Sequence, residues 1–251
     1  MIRVKNIIKN YGPLQVLKDL TLEIPKGQVV SIIGPNGSGK STLLGIISRT
    51  LSAEGGKVTI DDQALYDWDT RELAKHLAIM KQSEHIEVRI TVYDLVSFGR
   101  YPYTQGRLRE IDYKKIQEAI DYMDLEEIKH KYIDELSGGQ KQRAYIASIF
   151  AQDTDYILLD EPLNNLDIKY ALDMLKLLRK MAEECKKTII IVIHDINFAS
   201  CYSDHIILLK EGQLAKSGPV KEIMKPDVLR EIYDLDFKII EVEGKLICAY
   251  Y

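Results

Sequence analysis

The segment GPNGSGKST, residues 34 to 42, sets glycines, hydroxyls and one lysine in an order suited to holding phosphate. Gly34, Gly37 and Gly39 let the backbone turn so that successive N–H groups face one concavity, with Pro35, Asn36 and Ser38 completing the loop. The spacing G-x-x-x-x-G-K-[ST] is met by Gly34, Gly39, Lys40 and Ser41. It predicts an ammonium at the β- and γ-phosphates of a nucleotide, a hydroxyl on Mg²⁺ from Ser41 and a further phosphate hydrogen bond from Thr42.

Such a loop needs an acidic partner for the metal at the end of a buried strand. YILLDE, residues 156 to 161, supplies four apolar or aromatic positions, then Asp160 for the metal sphere, then Glu161. Adjacent side chains on a regular strand point to opposite faces. Glu161 is therefore expected to reach the γ-phosphate, and to polarise an attacking water as general base, only through the turn at Pro162.

A second glycine pair stands in LSGGQ, residues 136 to 140. Ser137, Gly138, Gly139 and Gln140 open a predicted helix, where unpaired N–H groups and the helix dipole favour an anion and Ser137 is a candidate N-cap. No lysine and carboxylate at the required spacing accompany this second cradle. Its economical use is to close over a nucleotide held by another copy of the chain, so that two chains head to tail form two composite sites.

These segments need elements to carry them. QVVSIIG is a continuous apolar run entering the phosphate loop, and STLLGIISRTL after Lys40 has helical spacing, giving the order strand, loop, helix. YILLD and TIIIVIHD are two more buried strands, joined by the helical pattern IKYALDMLKLLRKMAEECKK, which forms a strand–helix–strand unit with a parallel sheet. At the front, IRVKNIIKNYG and VLKDLTLEIPKG alternate apolar and polar residues as antiparallel strands. Residues from about 83 to 155 read as helices, including TVYDLVSFG, DYKKIQEAIDYMDL and GGQKQRAYIASIFAQ. After Val220 come two short helices and a strand pair turning near Glu243-Gly244. The expected fold class is α/β: a P-loop NTPase (RecA-like) core with an N-terminal antiparallel β-subdomain, from residues 1–82 and 156–251, and an inserted α-helical subdomain at 83–155.

With 251 residues, 46% of them hydrophobic and 29% charged, the chain is expected to fold around a substantial core. A net charge of −4 argues against nucleic acid as partner. Cys185, Cys201 and Cys248 form no CxxC pair, which fits a reducing compartment. MIRVKNIIKN lacks the apolar core of a secretory signal, and the run IIIVI at 189 to 193 is too short to span a bilayer, so any membrane role is expected to come through a partner.

On these ordered motifs the chain resembles the nucleotide-binding subunit of an ATP-binding cassette (ABC) transporter along nearly its whole length. The resemblance implies that Tyr11 stacks on adenine and that Gln82 in IMKQ senses the γ-phosphate and metal. It also implies that Asp167 in NNLD lies at the dimer interface and that His194 in VIHD is a switch histidine at the γ-phosphate. Catalysis would then rest on Glu161, His194, Lys40 and Gln82, the metal on Ser41, Gln82 and Asp160, with ATP and Mg²⁺ as cofactors. NNLD departs from the family in placing asparagines where small residues are usual ahead of Leu-Asp.

DLVSFGRYPYTQGR and DEPLNNLD are similar to bacterial ferric-siderophore importer ATPases, particularly those for catecholate-type siderophores, and importers of cobalamin or haem share much of the pattern. The expected partners are a second copy of the chain, transmembrane permease subunits and, indirectly, a substrate-binding protein, at the cytoplasmic face of a bacterial membrane. Tyr101, Pro102 and Tyr103 with Arg100, Arg107 and Arg109 are the expected permease contact surface. No long heptad insertion of the DNA-repair branch and no second motif set of the translation-factor branch is present. An exporter would use the same chemistry.

Overall fold

In β1 (Ile2–Tyr11) and β2 (Leu14–Ile24) Ile2, Val4, Ile7, Leu17, Leu20, Leu22 and Ile24 are buried while most charged neighbours face out, the alternation shifting where the register breaks. In the computed structural model, which describes residues 1–81 and 89–250, these strands pair antiparallel with Ile2 opposite Ile24. β3 (Val29–Ile33) is buried at all five positions, as a central parallel strand must be, and leads through the phosphate loop into α1 (Lys40–Ile47). β4 (Gly55–Ile60) and the short β5 (Gln63–Ala64) complete a four-stranded sheet of order β2-β1-β4-β5.

The chain forms two compact units, Met1–Trp68 with Leu175–Tyr251, and Asp69–Met174. The second unit begins with α2 (Thr70–His76), capped by the Asp69 carboxylate on Arg71 and Glu72 N–H, and with β6 (Leu77–Met80). It continues through α3 (Val92–Phe98), α4 (Tyr101–Thr104), α5 (Glu110–Tyr122) and α6 (Gly138–Gln152) to β7 (Tyr156–Asp160), which pairs parallel with β6. Thr91 and Asp94 form a reciprocal capping box at the start of α3. Gly99 follows α3 because a Cβ there would lie 2.1 Å from the Ser148 carbonyl of α6. The helical runs expected at 91–99, 112–125 and 138–152 thus correspond to α3, α5 and α6.

α7 (Ile168–Cys185) carries the chain back into the first unit. There β8 (Thr188–Val192) is parallel to β3, and α8 (Ile196–Tyr202) leads to β9 (His205–Lys210), also parallel to β3, then to antiparallel β10 (Gln213–Pro219). These four strands lie in the order β10-β9-β3-β8. α9 (Val220–Ile223), α10 (Pro226–Tyr233) and the hairpin β11 (Lys238–Val242) and β12 (Lys245–Ala249) complete the unit. The hairpin turns at Glu243 and Gly244, both at positive φ. Among the described residues no helix is long and apolar enough to cross a membrane.

Candidate nucleotide site

The phosphate loop leaves β3 at Gly34, whose φ of +149° and surroundings exclude any side chain: a Cβ would lie 2.1 Å from the Leu209 carbonyl and 3.0 Å from Ser38 Oγ. Gly39, at φ +97°, occupies the N-cap position of α1 without any side-chain cap, and a Cβ there would lie 2.5 Å from Leu17 Cδ2. A helix start with no side-chain cap is suited to an anion. Lys40 is 5% exposed, and its Nζ donates to the carbonyls of Gly34 and Pro35 at 2.9 Å each. Ser38 Oγ is buried without a hydrogen-bond partner among the described residues, and a buried polar atom left unmatched is costly unless a ligand completes it. A glycine cradle, an uncapped helix start, a lysine turned in on the loop and an unmatched hydroxyl together fit a nucleotide phosphate.

Within the same unit β3 and β8 run parallel with Ile32 opposite Val192, and Ile193 N–H donates to the Ile32 carbonyl at 3.3 Å. Both strands therefore discharge the chain at one sheet edge: β3 into the phosphate loop, β8 into exposed His194. Asp195 caps α8, accepting from Asn197 and Phe198 N–H at 2.7 and 2.9 Å. Tyr11 ends β1 with its ring half exposed and Lys9 Nζ 5.5 Å from the ring centroid.

In the other unit β7 is buried at all five positions and ends in Asp160, itself 8% exposed. Glu161 takes a left-handed φ of +51°. The bend that removes it from strand alternation therefore sits in Glu161 itself and not, as the sequence suggested, in Pro162. A non-glycine residue held there stores strain that its surroundings must sustain. Contacts that help to do so are the Asn164 side-chain amide, which donates to the Glu161 carboxylate, the Asn164 N–H, which donates to the Glu161 carbonyl at 3.2 Å, and Gln142 Nε2 of α6, which donates to the Pro162 carbonyl at 2.6 Å. Sequence reasoning missed both residues, although the asparagine standing where a small residue is usual was the available signal.

Ser137 caps α6: its Oγ accepts from Gln140 N–H at 3.3 Å, and Gln140 Oε1 accepts from Ser137 N–H at 3.0 Å. Gly139 lies under Tyr170, whose ring is 3.0 Å from where a Cβ would be, whereas Gly138 has open space. Exposed Asp167 lies at the start of α7, its carbonyl accepting from Ala171 N–H at 2.9 Å. Gln82 falls outside the described residues.

The expected arginine-rich contact surface needs correction at Arg100. This guanidinium is 4% exposed and bonded to Asp112 at 3.1 Å and to the Ala151 carbonyl at 2.7 Å, and it stacks on Tyr103 at 3.9 Å. Arg71 donates to the Pro102 and Tyr103 carbonyls at 2.6 and 3.0 Å. Arg100 thus anchors the segment from within. The outward groups are Phe98, Tyr101, Ile111 and Tyr113, each more than half exposed, with Arg107 and Arg109 nearby in sequence.

Glycine cradle, buried strand-end carboxylate and serine-capped GGQ helix define a P-loop ATPase cassette, and comparison with known proteins makes the family definite. The "ABC transporter" family model matches residues 17–164. The chain belongs to the ABC transporter family, as one of its ATP-binding and ATP-hydrolysing cassettes. It is 52% identical over 251 residues, all of both chains, to the petrobactin import ATP-binding protein YclP of Bacillus subtilis (strain 168). It is 39% identical over 232 residues, 92% of this chain and 86% of the other, to the iron(3+)-hydroxamate import ATP-binding protein FhuC of the same organism. Among solved structures it is similar to the dimeric post-hydrolysis state of the cassette MJ0796 bound to ADP and Pi, with TM-score 0.77, 33% identity, and coverage of 88% of this chain and 99% of that one.

Proposed function

We propose that this chain is the motor subunit of an iron-chelate importer, binding ATP at residues 34–42 and coupling its hydrolysis to transport through membrane partners. The observation that carries the reading is the phosphate loop, with Gly34 and Gly39 closed to side chains, Ser38 Oγ unmatched and Lys40 turned onto its own loop carbonyls. Phosphate binding exchanges those carbonyls for phosphate oxygens at the ammonium. Mg²⁺, when bound, offsets charge on the phosphates, with Ser41, Asp160 and Gln82 as its residues. Tyr11 stacks on the base, and Glu161, bent out of its strand, orients water in line with the γ-phosphate while His194 holds that phosphate.

Ser137, Gly138, Gly139 and Gln140 serve the nucleotide of a second copy, with Asp167 at the dimer interface. ADP lacks the group this cradle holds, so hydrolysis removes the differential contact that favours closure. The relatives named for petrobactin and iron(3+)-hydroxamate import support a siderophore cargo. The outward Phe98, Tyr101, Ile111 and Tyr113 suit a permease, which would place the chain peripherally on the cytoplasmic face of the membrane, with a substrate-binding protein reached only through that permease.

Glu161→Gln is the direct test. It should retain ATP binding, form a dimer in ATP but not in ADP on size-exclusion chromatography, and release phosphate at least about a hundredfold more slowly than wild type. Turnover at the wild-type rate would remove Glu161 as the base.

A further inference from the structure

One core cluster of the first unit joins Ile33, at the root of the phosphate loop, to Ile196 and Ala199 of α8, Leu229 and Ile232 of α10, and Cys248 of β12. The C-terminal hairpin is therefore packed into the same core that carries both nucleotide-facing segments of this unit. Its polar contacts with α8 are directional. The Asn197 side chain completes both backbone groups of Cys248: Nδ2 donates to the carbonyl at 3.1 Å, and Oδ1 accepts from the N–H at 2.6 Å. Ser200 Oγ donates to the Leu246 carbonyl at 2.5 Å, and Lys245 Nζ donates to the Cys201 carbonyl at 2.8 Å.

Three successive contacts along one face fix the rotation of a seven-residue helix that begins two residues after His194. A helix this short gains little stability from its own hydrogen bonds, so its orientation depends on what holds it. The hairpin is tied in turn to α10 by an edge-to-face aromatic chain, Tyr233 to Phe237 at 5.9 Å and Phe237 to Tyr250 at 5.8 Å. Burial, with a smaller contribution from Cys248, pushes the Tyr233 phenol pKa well up.

We propose that the C-terminal hairpin is a positioning element of the ATPase, and that Asn197 is the positioning residue through which it sets α8 and hence His194. The inference rests on the reading of His194 as the switch histidine. The hairpin fastens α8 from behind, so His194 emerges from β8 at a fixed angle. Without the Asn197 pairing α8 can turn about its Asp195 cap, and His194 loses its place at the γ-phosphate although the loop that binds ATP is untouched.

The test compares wild type, Asn197→Ala, His194→Ala and the double variant as full-length chains with Mg-ATP, well below the melting temperature of each. Asn197→Ala should lower kcat roughly tenfold. KM for ATP should stay within about twofold, and the double variant should be no slower than His194→Ala alone, because both changes remove one function. A general loss of folded protein would not produce that non-additivity. Should Asn197→Ala fail to fold, Asn197→Asp, which keeps an acceptor for Cys248 N–H but places a carboxylate against the Cys248 carbonyl, enters the same cycle. A kcat within twofold of wild type, or losses that multiply in the double variant, overturns the inference. A His194→Ala chain with wild-type kcat instead overturns the reading of His194 itself.

Discussion

Ser38 Oγ lies buried beside Gly34, 3.0 Å from the point a Cβ on that glycine would occupy, and has no hydrogen-bond partner among the described residues. A buried hydroxyl left unmatched costs about 1–3 kcal/mol. Ser38→Ala should therefore leave the nucleotide-free chain as stable as wild type or more so, while weakening ATP binding severalfold. Thermal unfolding with and without ATP checks both signs. A variant less stable without nucleotide, yet unchanged in ATP affinity, would assign the hydroxyl to the fold and not to phosphate.

Arg100 and Asp112 are paired away from water, with Arg109 adding a second contact to the same carboxylate at 3.2 Å. Burial alone would raise the Asp112 pKa, but hydrogen bonds from Arg109 and Arg100 outweigh it and hold the carboxyl below its ordinary range. Arg100→Met leaves a buried charge short of its buried partner and should cost about 3–5 kcal/mol in chemical denaturation. Asp112→Asn in the same chain should recover part of that loss. Because the folded pKa is depressed, the stability from Asp112 is present above its unfolded pKa near 4 and is lost as pH falls through the folded value.

His205 opens β9 with its Nε2 2.7 Å from Ser217 Oγ. Burial lowers its pKa, against a smaller upward pull from Glu222. The fold therefore favours the neutral ring. That contribution is present above the unfolded value near 6.5 and declines as pH falls from there toward the folded pKa. Between pH 7 and pH 5.5 the wild-type denaturation midpoint should decline more steeply than that of His205→Gln. Parallel declines would show that His205 does not carry this pH dependence.

The segments proposed to handle phosphate were legible because their chemistry is local. A glycine cradle needs glycines at fixed offsets, a buried strand announces itself by an unbroken apolar run, and Ser137 caps α6 from its own sequence neighbourhood. The hairpin β11–β12 was legible for the same reason, through alternation around Glu243-Gly244. What escaped depends on what packs against a side chain. Nothing in GRYPYTQGR distinguishes an arginine sunk onto Asp112 and Ala151 from one facing a partner. The left-handed Glu161 was hidden because Pro162 offered a simpler bend, and its supports Asn164 and Gln142 act across distances that spacing does not encode. β9 and β10 were passed over because the interval between TIIIVIHD and Val220 carries no motif.

The most direct measurement is radio-iron uptake by the source organism lacking this chain, supplied in turn with petrobactin, a hydroxamate siderophore, enterobactin, haem and unchelated iron, and complemented with wild type or Glu161→Gln. The account predicts loss of uptake for at least one siderophore, restored by wild type and not by Glu161→Gln. Undiminished uptake of every iron source would contradict iron-chelate import as the purpose of this ATPase.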